Sequence, residues 1–152
     1  MFKEIKCETE MKEFGKAIGA LLSGGEFIEL SGDVGSGKTT LTKGIAIGMG
    51  VSQNVQSPSF TIKRVYESNS ALTLCHYDFY RLNEAGIMYN ELEESASDKN
   101  AVTVVEWGDI VEGILPTDRL SITISAPTET SRHLVLLAGG KNSRNLMEQL
   151  VL

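Results

Sequence analysis

The run Gly32-Asp33-Val34-Gly35-Ser36-Gly37-Lys38-Thr39 places three glycines, a lysine and a hydroxyl at the spacing G-x-x-x-x-G-K-[ST]. Residues of these types at this spacing handle phosphate. Glycines let the backbone curl with its N–H groups aimed inward at a polyphosphate, and a following helix adds its positive end. Lys38 then reaches the β- and γ-phosphates, while the Thr39 hydroxyl completes the shell of a magnesium ion. The candidate nucleotide-binding residues are Asp33, Val34, Gly35, Ser36, Gly37, Lys38, Thr39 and Thr40. Lys38 is also a candidate catalytic residue, because its charge meets the γ-phosphate as charge develops there.

Such a site needs carboxylates opposite the loop, and in α/β sheets these come from the carboxyl ends of strands beside the loop strand. Leu72 to Asp78 places Asp78 just past one strand-like run, and Val102 to Glu106 places Glu106 at the end of another. Both are candidate catalytic acids and, with Thr39, candidate magnesium ligands. One could orient a metal-bound water and the other the attacking water; spacing leaves the division between them open. Trp107, the only tryptophan, follows Glu106 directly. It is read either as core or as a residue beside the nucleotide or an interface. His76 has no Cys or His at ligand spacing and reads as packed or hydrogen-bonded. Arg81 could approach a phosphate or form an ion pair with nearby carboxylates.

The elements that must position these residues are legible in outline. Phe27 to Leu30 is a strand feeding the loop, and Leu41, Ile45, Ile47 and Met49 mark a helix stopped near Gly50. Before the loop, Met11, Phe14, Ile18, Leu21 and Leu22 recur at helical spacing, with Thr9 expected as N-cap and Gly24-Gly25 as terminator. The string Leu22 to Glu26 resembles a transporter-ATPase signature, but it precedes the phosphate loop and reads as a helix cap. Ser52 to Ser59 is a loop. Thr61 to Tyr66 and Ala71 to His76 form a hairpin about Ser68-Asn69-Ser70, and Asn83 to Asn100 is acidic, with short helices and loop. Ala101 to Val105 is β-branched almost throughout, as in a strand buried on both faces. Arg119 to Ile124 and His133 to Leu137 are strands about a turn at Pro127 to Ser131, and Asn142 to Leu152 is a last helix.

The chain has 152 residues, 22% charged and 41% hydrophobic, with a formal charge of −6. That length suits a single domain with one core, short for an enzyme that carries its own lid. The acidic balance argues against a direct grip on nucleic acid, since non-specific affinity comes from Lys and Arg neutralising phosphates. No apolar run approaches the ~20 residues of a membrane span. The start Met1-Phe2-Lys3-Glu4 lacks a signal-peptide layout, so a cytoplasmic location is expected. Cys7 and Cys75 lie far apart without metal-ligand spacing and read as reduced thiols, Cys75 in the core.

The phosphate loop, Ser57-Pro58-Ser59-Phe60-Thr61, His76-Tyr77-Asp78-Phe79-Tyr80-Arg81-Leu82 and Glu106-Trp107 occur in this order. On these blocks the chain resembles the TsaE (YjeE) family of small bacterial ATPases, from about Phe14 to Leu137. Val34 stands where that family usually has Leu, Ser59 where it has Thr, and Gly108 where Pro often follows the Trp. The resemblance implies an α/β, P-loop NTPase-like fold: a central parallel sheet with antiparallel edge strands and helices on both faces, in a single ATPase domain over residues 1–152. It implies ATP/ADP and Mg2+ at Lys38, Thr39, Asp78 and Glu106, Trp107 beside the site, and Ser57 to Thr61 as a nucleotide-sensing loop. It further implies an accessory ATPase that cycles a TsaD and TsaB pair forming threonylcarbamoyladenosine next to the anticodon, with tRNA contacted only through that complex. Two alternatives stay open. A small P-loop nucleoside or small-molecule kinase would share the loop and acids, but would need an Arg-rich lid where Arg64, Arg81, Arg119, Arg132 and Arg144 are scattered. A GTP-dependent switch module would need a guanine reader, and Asp98-Lys99-Asn100 has the wrong order for one.

Overall fold

Ala101–Glu106, β-branched almost throughout, lies inside one seven-stranded sheet in which Leu120–Ser125 and Arg132–Ala138 alternate buried with less buried residues. Its strands are β1 (Phe2–Ile5), β2 (Phe27–Ser31), β3 (Lys63–Glu67), β4 (Thr73–Asp78), β5 (Ala101–Glu106), β6 (Leu120–Ser125) and β7 (Arg132–Ala138), in the order β1-β7-β6-β2-β5-β4-β3. The central four, β6, β2, β5 and β4, run parallel. The pairs β3–β4, β6–β7 and β1–β7 are antiparallel, so both margins are built from reversed strands. The computed structural model describes residues 1–58, 60–84, 86 and 88–151. Ser59 of the Ser57-to-Thr61 block, two positions in the acidic stretch and Leu152 lie outside the described residues.

Every residue of β5 is buried, as its apolar run requires of a strand covered on both faces. Val102 and Val104 join Ile28 and Leu30 of β2 under three helices, α1 (Glu8–Leu21), α2 (Lys38–Met49) and α4 (Lys141–Gln149). Ala101 and Val105 face the other way, with Phe27, Tyr77 and Phe79, beneath α3 (Met88–Ser97) and a 3₁₀ helix over Gly108–Ile114. Helices therefore lie on both faces. Among the described residues no helix is long and apolar enough to cross a membrane. Glu29, a charge in the middle strand, accepts hydrogen bonds from Arg119 Nε at 2.7 Å and Ser121 Oγ at 3.0 Å, which offset its partial burial.

The helix that carries the phosphate loop is held by glycine. Gly15 and Gly19 on α1 face Gly44 and Gly48 on α2, each pair four residues apart and so on one helical face. A methyl at Gly15 would meet the Leu41 carbonyl, and one at Gly19 the Ile45 carbonyl; methyls at Gly44 and Gly48 would meet the carbonyls of Lys12 and Lys16. Four glycines thus let two backbones touch, an approach any side chain would block. The helix ends where expected, with Gly50 left-handed at φ 84° and its N–H bonded to the Ala46 and Ile47 carbonyls.

Four expectations change. Cys7, not Thr9, is the N-cap of α1; Thr9 lies inside the first turn, because Lys6 N–H bonds Glu10 Oε2 at 2.7 Å and draws the helix start forward. Strand β1 leaves no signal in the sequence, since only Ile5 of its four residues is buried and no alternation marks it. The hairpin strands sit about two residues later than their apolar runs suggest, pairing Lys63 with Tyr77 through Glu67 with Thr73. Helix α1 is closed by Leu22, whose N–H bonds the Gly19 carbonyl, and not by Gly24-Gly25, which form the turn beyond it: Ser23 N–H, Ser23 Oγ–H and Gly24 N–H all bond the Glu26 carboxylate, at 2.8, 3.0 and 2.8 Å.

Candidate active site

The phosphate loop leaves β2 at Ser31 and closes on itself. Gly32, Gly35 and Gly37 have φ of 152°, 78° and 109°, and the Ser36 N–H donates to the Asp33 carbonyl at 3.0 Å. Gly32 has no room for a side chain, since a Cβ would press on the Ile124 carbonyl and Ser36. Lys38 is 6% exposed, and its Nζ donates to the carbonyls of Gly32 at 2.7 Å and Asp33 at 2.9 Å and to Ser36 Oγ at 3.4 Å. Burial lowers its pKa below the ordinary lysine value, against the opposing pull of the Glu106, Asp78 and Asp33 carboxylates. Helix α2 starts on Gly37, which has no side chain to cap it, so the first-turn N–H groups remain available to an anion.

The acids arrive from the other side by strand register. Asp78 of β4 is the lateral partner of Glu106 of β5, which is in turn the partner of Leu30 of β2. Two carboxylates 28 residues apart in sequence therefore end at one level, beside the strand that feeds the loop. Both are buried, at 4% and 3% exposure. Asp78 Oδ1 accepts the Tyr80 N–H at 3.0 Å, and Oδ2 accepts the Ser57 hydroxyl at 3.3 Å. Glu106 Oε1 accepts from Nε2 of His76, wholly buried, at 2.9 Å. His76 pairs laterally with Val104, so on one face of parallel strands it is the diagonal neighbour of Glu106. Its other ring nitrogen, Nδ1, is buried without a partner among the described residues.

Loop and acids face each other across a cleft of about 380 Å³. Val34, Gly35, Gly37, Lys38, Thr39 and Thr40 line one wall, and Asp78, Glu106 and Trp107 the other. Asp33 and Ser36 stand behind, presenting a carbonyl and a hydroxyl to Lys38 instead of a face to the cleft. Trp107 is half-buried in a left-handed conformation at φ 58°, a strained geometry for a residue with a side chain. Its ring lies 4.9 Å from Lys38 Nζ and 4.9 Å from the Tyr80 ring. Arg81 also reaches the cleft, with its guanidinium 4.7 Å from the Phe60 ring; among the described residues it has no ion pair.

These donors fit a magnesium-bound polyphosphate. An ammonium is already poised among loop oxygens, unblocked helix N–H groups adjoin it, and Thr39 shares the cleft with two carboxylates of the hard oxygen type magnesium takes. Three contributors carry little local signal in the sequence. Tyr80 packs on Trp107, His76 holds Glu106, and Arg132 donates to the loop carbonyl of Ser36 at 2.8 Å. The H-x-D spacing, with both side chains on one strand face, could have flagged His76; for Arg132 no local pattern exists.

A family model described as "Threonylcarbamoyl adenosine biosynthesis protein TsaE" matches residues 5–134. The chain is 35% identical over 156 residues to the tRNA threonylcarbamoyladenosine biosynthesis protein TsaE of Bacillus subtilis, covering 97% of this chain and 94% of that one. To the protein of the same name from Streptomyces coelicolor it is 41% identical over 115 residues, 75% of this chain and 78% of the other. A crystal structure of Bacillus subtilis YdiB superposes with a TM-score of 0.81 at 32% identity, over 99% of this chain and 93% of that one. With a family match along most of its length and the same mixed sheet in a solved relative, the chain belongs to the TsaE family of threonylcarbamoyladenosine biosynthesis proteins.

Proposed function

We propose that the protein is a single-domain ATPase, residues 1–152, that binds and hydrolyses Mg-ATP in the cytoplasm to drive cycling of a TsaD/TsaB complex forming threonylcarbamoyladenosine on tRNA. One observation carries this reading: Lys38, seated among loop carbonyls, shares a cleft with the laterally paired strand-end acids Asp78 and Glu106. Val34, Gly35, Gly37, Lys38, Thr39 and Thr40 would cradle the phosphates, with Asp33 and Ser36 shaping the loop behind them, Lys38 at the β- and γ-groups and Trp107 beside the nucleotide. Thr39, Asp78 and Glu106 would hold magnesium directly or through water. Magnesium, when bound, neutralises phosphate oxygens and supports charge movement onto the leaving group.

The remaining chemistry belongs to the chain's own groups. Glu106, oriented by His76, and Asp78, oriented by the Tyr80 N–H and Ser57, are the acceptors that can hold or deprotonate the attacking water. Among the described residues the cations at the cleft are Lys38 and Arg81, so little positive charge meets the γ-phosphate and turnover alone is slow. A net charge of −6 favours contact with tRNA through protein partners.

Reconstitution tests the reading. TsaD and TsaB without this chain should stall after few rounds of tRNA modification, wild type should restore cycling, and Glu106→Ala should bind the pair without restoring it. Sustained cycling with that hydrolysis-deficient variant, or tight binding of tRNA by the isolated chain at physiological salt, would overturn it.

A further inference from the structure

The phosphate loop is gripped from outside the cleft by a side chain that no motif marks. Arg132 opens β7, and its Nε donates to the Ser36 carbonyl at 2.8 Å and its Nη2 to the Gly35 carbonyl at 3.3 Å. Nη1 donates to the carbonyls of Thr128, Glu129 and Ser131, at 3.2, 3.1 and 2.8 Å. One planar fork thus ties two successive loop peptides to the turn between β6 and β7, a match to guanidinium geometry that an ammonium could not reproduce.

The loop needs such a restraint. Val34 is 71% exposed, and a Cβ built on Gly35 meets nothing within 4 Å, so packing does not hold the tip. Glycine-rich backbone left free loses entropy when a ligand orders it. A trans peptide also sets its C=O and its N–H in opposite directions. Drawing the Gly35 and Ser36 carbonyls toward Arg132 therefore turns the Ser36 and Gly37 N–H groups away from it. The Ser36 N–H is used within the loop, on Asp33, while Gly37 lines the cleft.

We propose that Arg132 is a positioning residue for phosphate binding: by holding the Gly35 and Ser36 carbonyls from behind, it preorganises the loop N–H groups for an anionic polyphosphate. This rests on the nucleotide reading of the cleft, and the test separates the two. Wild type, Arg132→Ala, Arg132→Lys and Thr128→Ala are compared by ¹⁵N order parameters of the Gly35, Ser36 and Gly37 amides without nucleotide, and by calorimetric affinity for ADP with magnesium. In Arg132→Ala the order parameters fall from about 0.85 toward about 0.6, and the ADP Kd rises about tenfold. Arg132→Lys recovers less than half of either effect, and carries the test if the alanine variant does not fold. Thr128→Ala removes a turn brace, the 2.6 Å contact of Thr128 Oγ1 with Ser131 Oγ, and leaves both readouts near wild type. Unchanged order parameters and ADP affinity in Arg132→Ala overturn the inference. So does a loss in Thr128→Ala equal to that in Arg132→Ala, which would make the turn, not the guanidinium, the support. Failure of wild type to bind ADP instead overturns the nucleotide reading, while the order parameters still decide whether Arg132 holds the loop.

Discussion

The two walls of the cleft are built by different physics. The loop wall is local: eight consecutive residues, three glycines at positive φ and a lysine that folds back onto carbonyls five and six residues earlier. The acid wall is non-local: Asp78 and Glu106 meet because β4 and β5 pair in one parallel register, and His76 fixes Glu106 across 30 residues of chain. A local wall binds whenever its own backbone is right. A non-local wall depends on the whole sheet, because a shift of one residue in either strand would turn its acid to the opposite face. Binding should therefore follow the loop, and chemistry the acids.

The sharpest way to break this contrast is Lys38→Ala. Removing the ammonium leaves the Gly32 and Asp33 carbonyls without their partner and the cleft with two acids and no loop cation. Affinity for ADP should drop by about 100-fold or more. Calorimetry checks this, as does Trp107 emission, which lies 4.9 Å from the lost charge and should no longer respond to nucleotide. Binding at the parental strength would remove the loop from the site.

Asp78→Ala and Glu106→Ala probe the other wall. Each should depress ATP hydrolysis about 100-fold while the ADP Kd moves by no more than about threefold, since the acids act on water and metal more than on the nucleotide as a whole. Steady-state phosphate release beside ADP calorimetry gives the split. A variant hydrolysing ATP at the wild-type rate would reduce that acid to a strand-end cap.

Gly19→Ala asks whether the local wall is local in stability as well. The new methyl meets the Ile45 carbonyl, so α1 and α2 must separate, at about 1–3 kcal/mol of stability. Thermal unfolding should show a midpoint several degrees lower. If α2 moves and carries the loop with it, ADP affinity falls too; if affinity holds in the folded variant, the loop's geometry is its own.

The smallest effect lies far from both walls. The Ser143 hydroxyl and the Ser143 and Asn142 N–H groups bond Asp118 at the start of α4, and they hold its carboxyl below the usual aspartate range. A depressed folded pKa adds stability above the unfolded value, and that contribution is lost as pH falls through the folded one. Asp118→Asn should flatten this acid limb of the stability curve without altering ADP affinity, as denaturant titrations between neutral pH and about pH 3 would show. A change in nucleotide binding would link α4 to the cleft by a route the packing does not reveal.

The loop, its strand and helix, the helix stop at Gly50 and the double-faced burial of β5 were legible because each follows from backbone freedom or apolar period within a short window. Both acids were legible as strand ends for the same reason. Their lateral pairing was not, nor was the His76 bond to Glu106, because register is a property of two strands together and neither carries it alone. The glycine contact between α1 and α2 left a four-residue spacing in each helix, yet only their approach gives that spacing meaning. Strand β1, with one buried residue, exists because β7 offers it an edge. Arg132 lies 96 residues from the Ser36 carbonyl it holds. The phosphate loop is a choice among local dihedrals written in eight consecutive residues, whereas every contact whose partners must first be brought together by closing the chain belongs to the folded sheet and its helices.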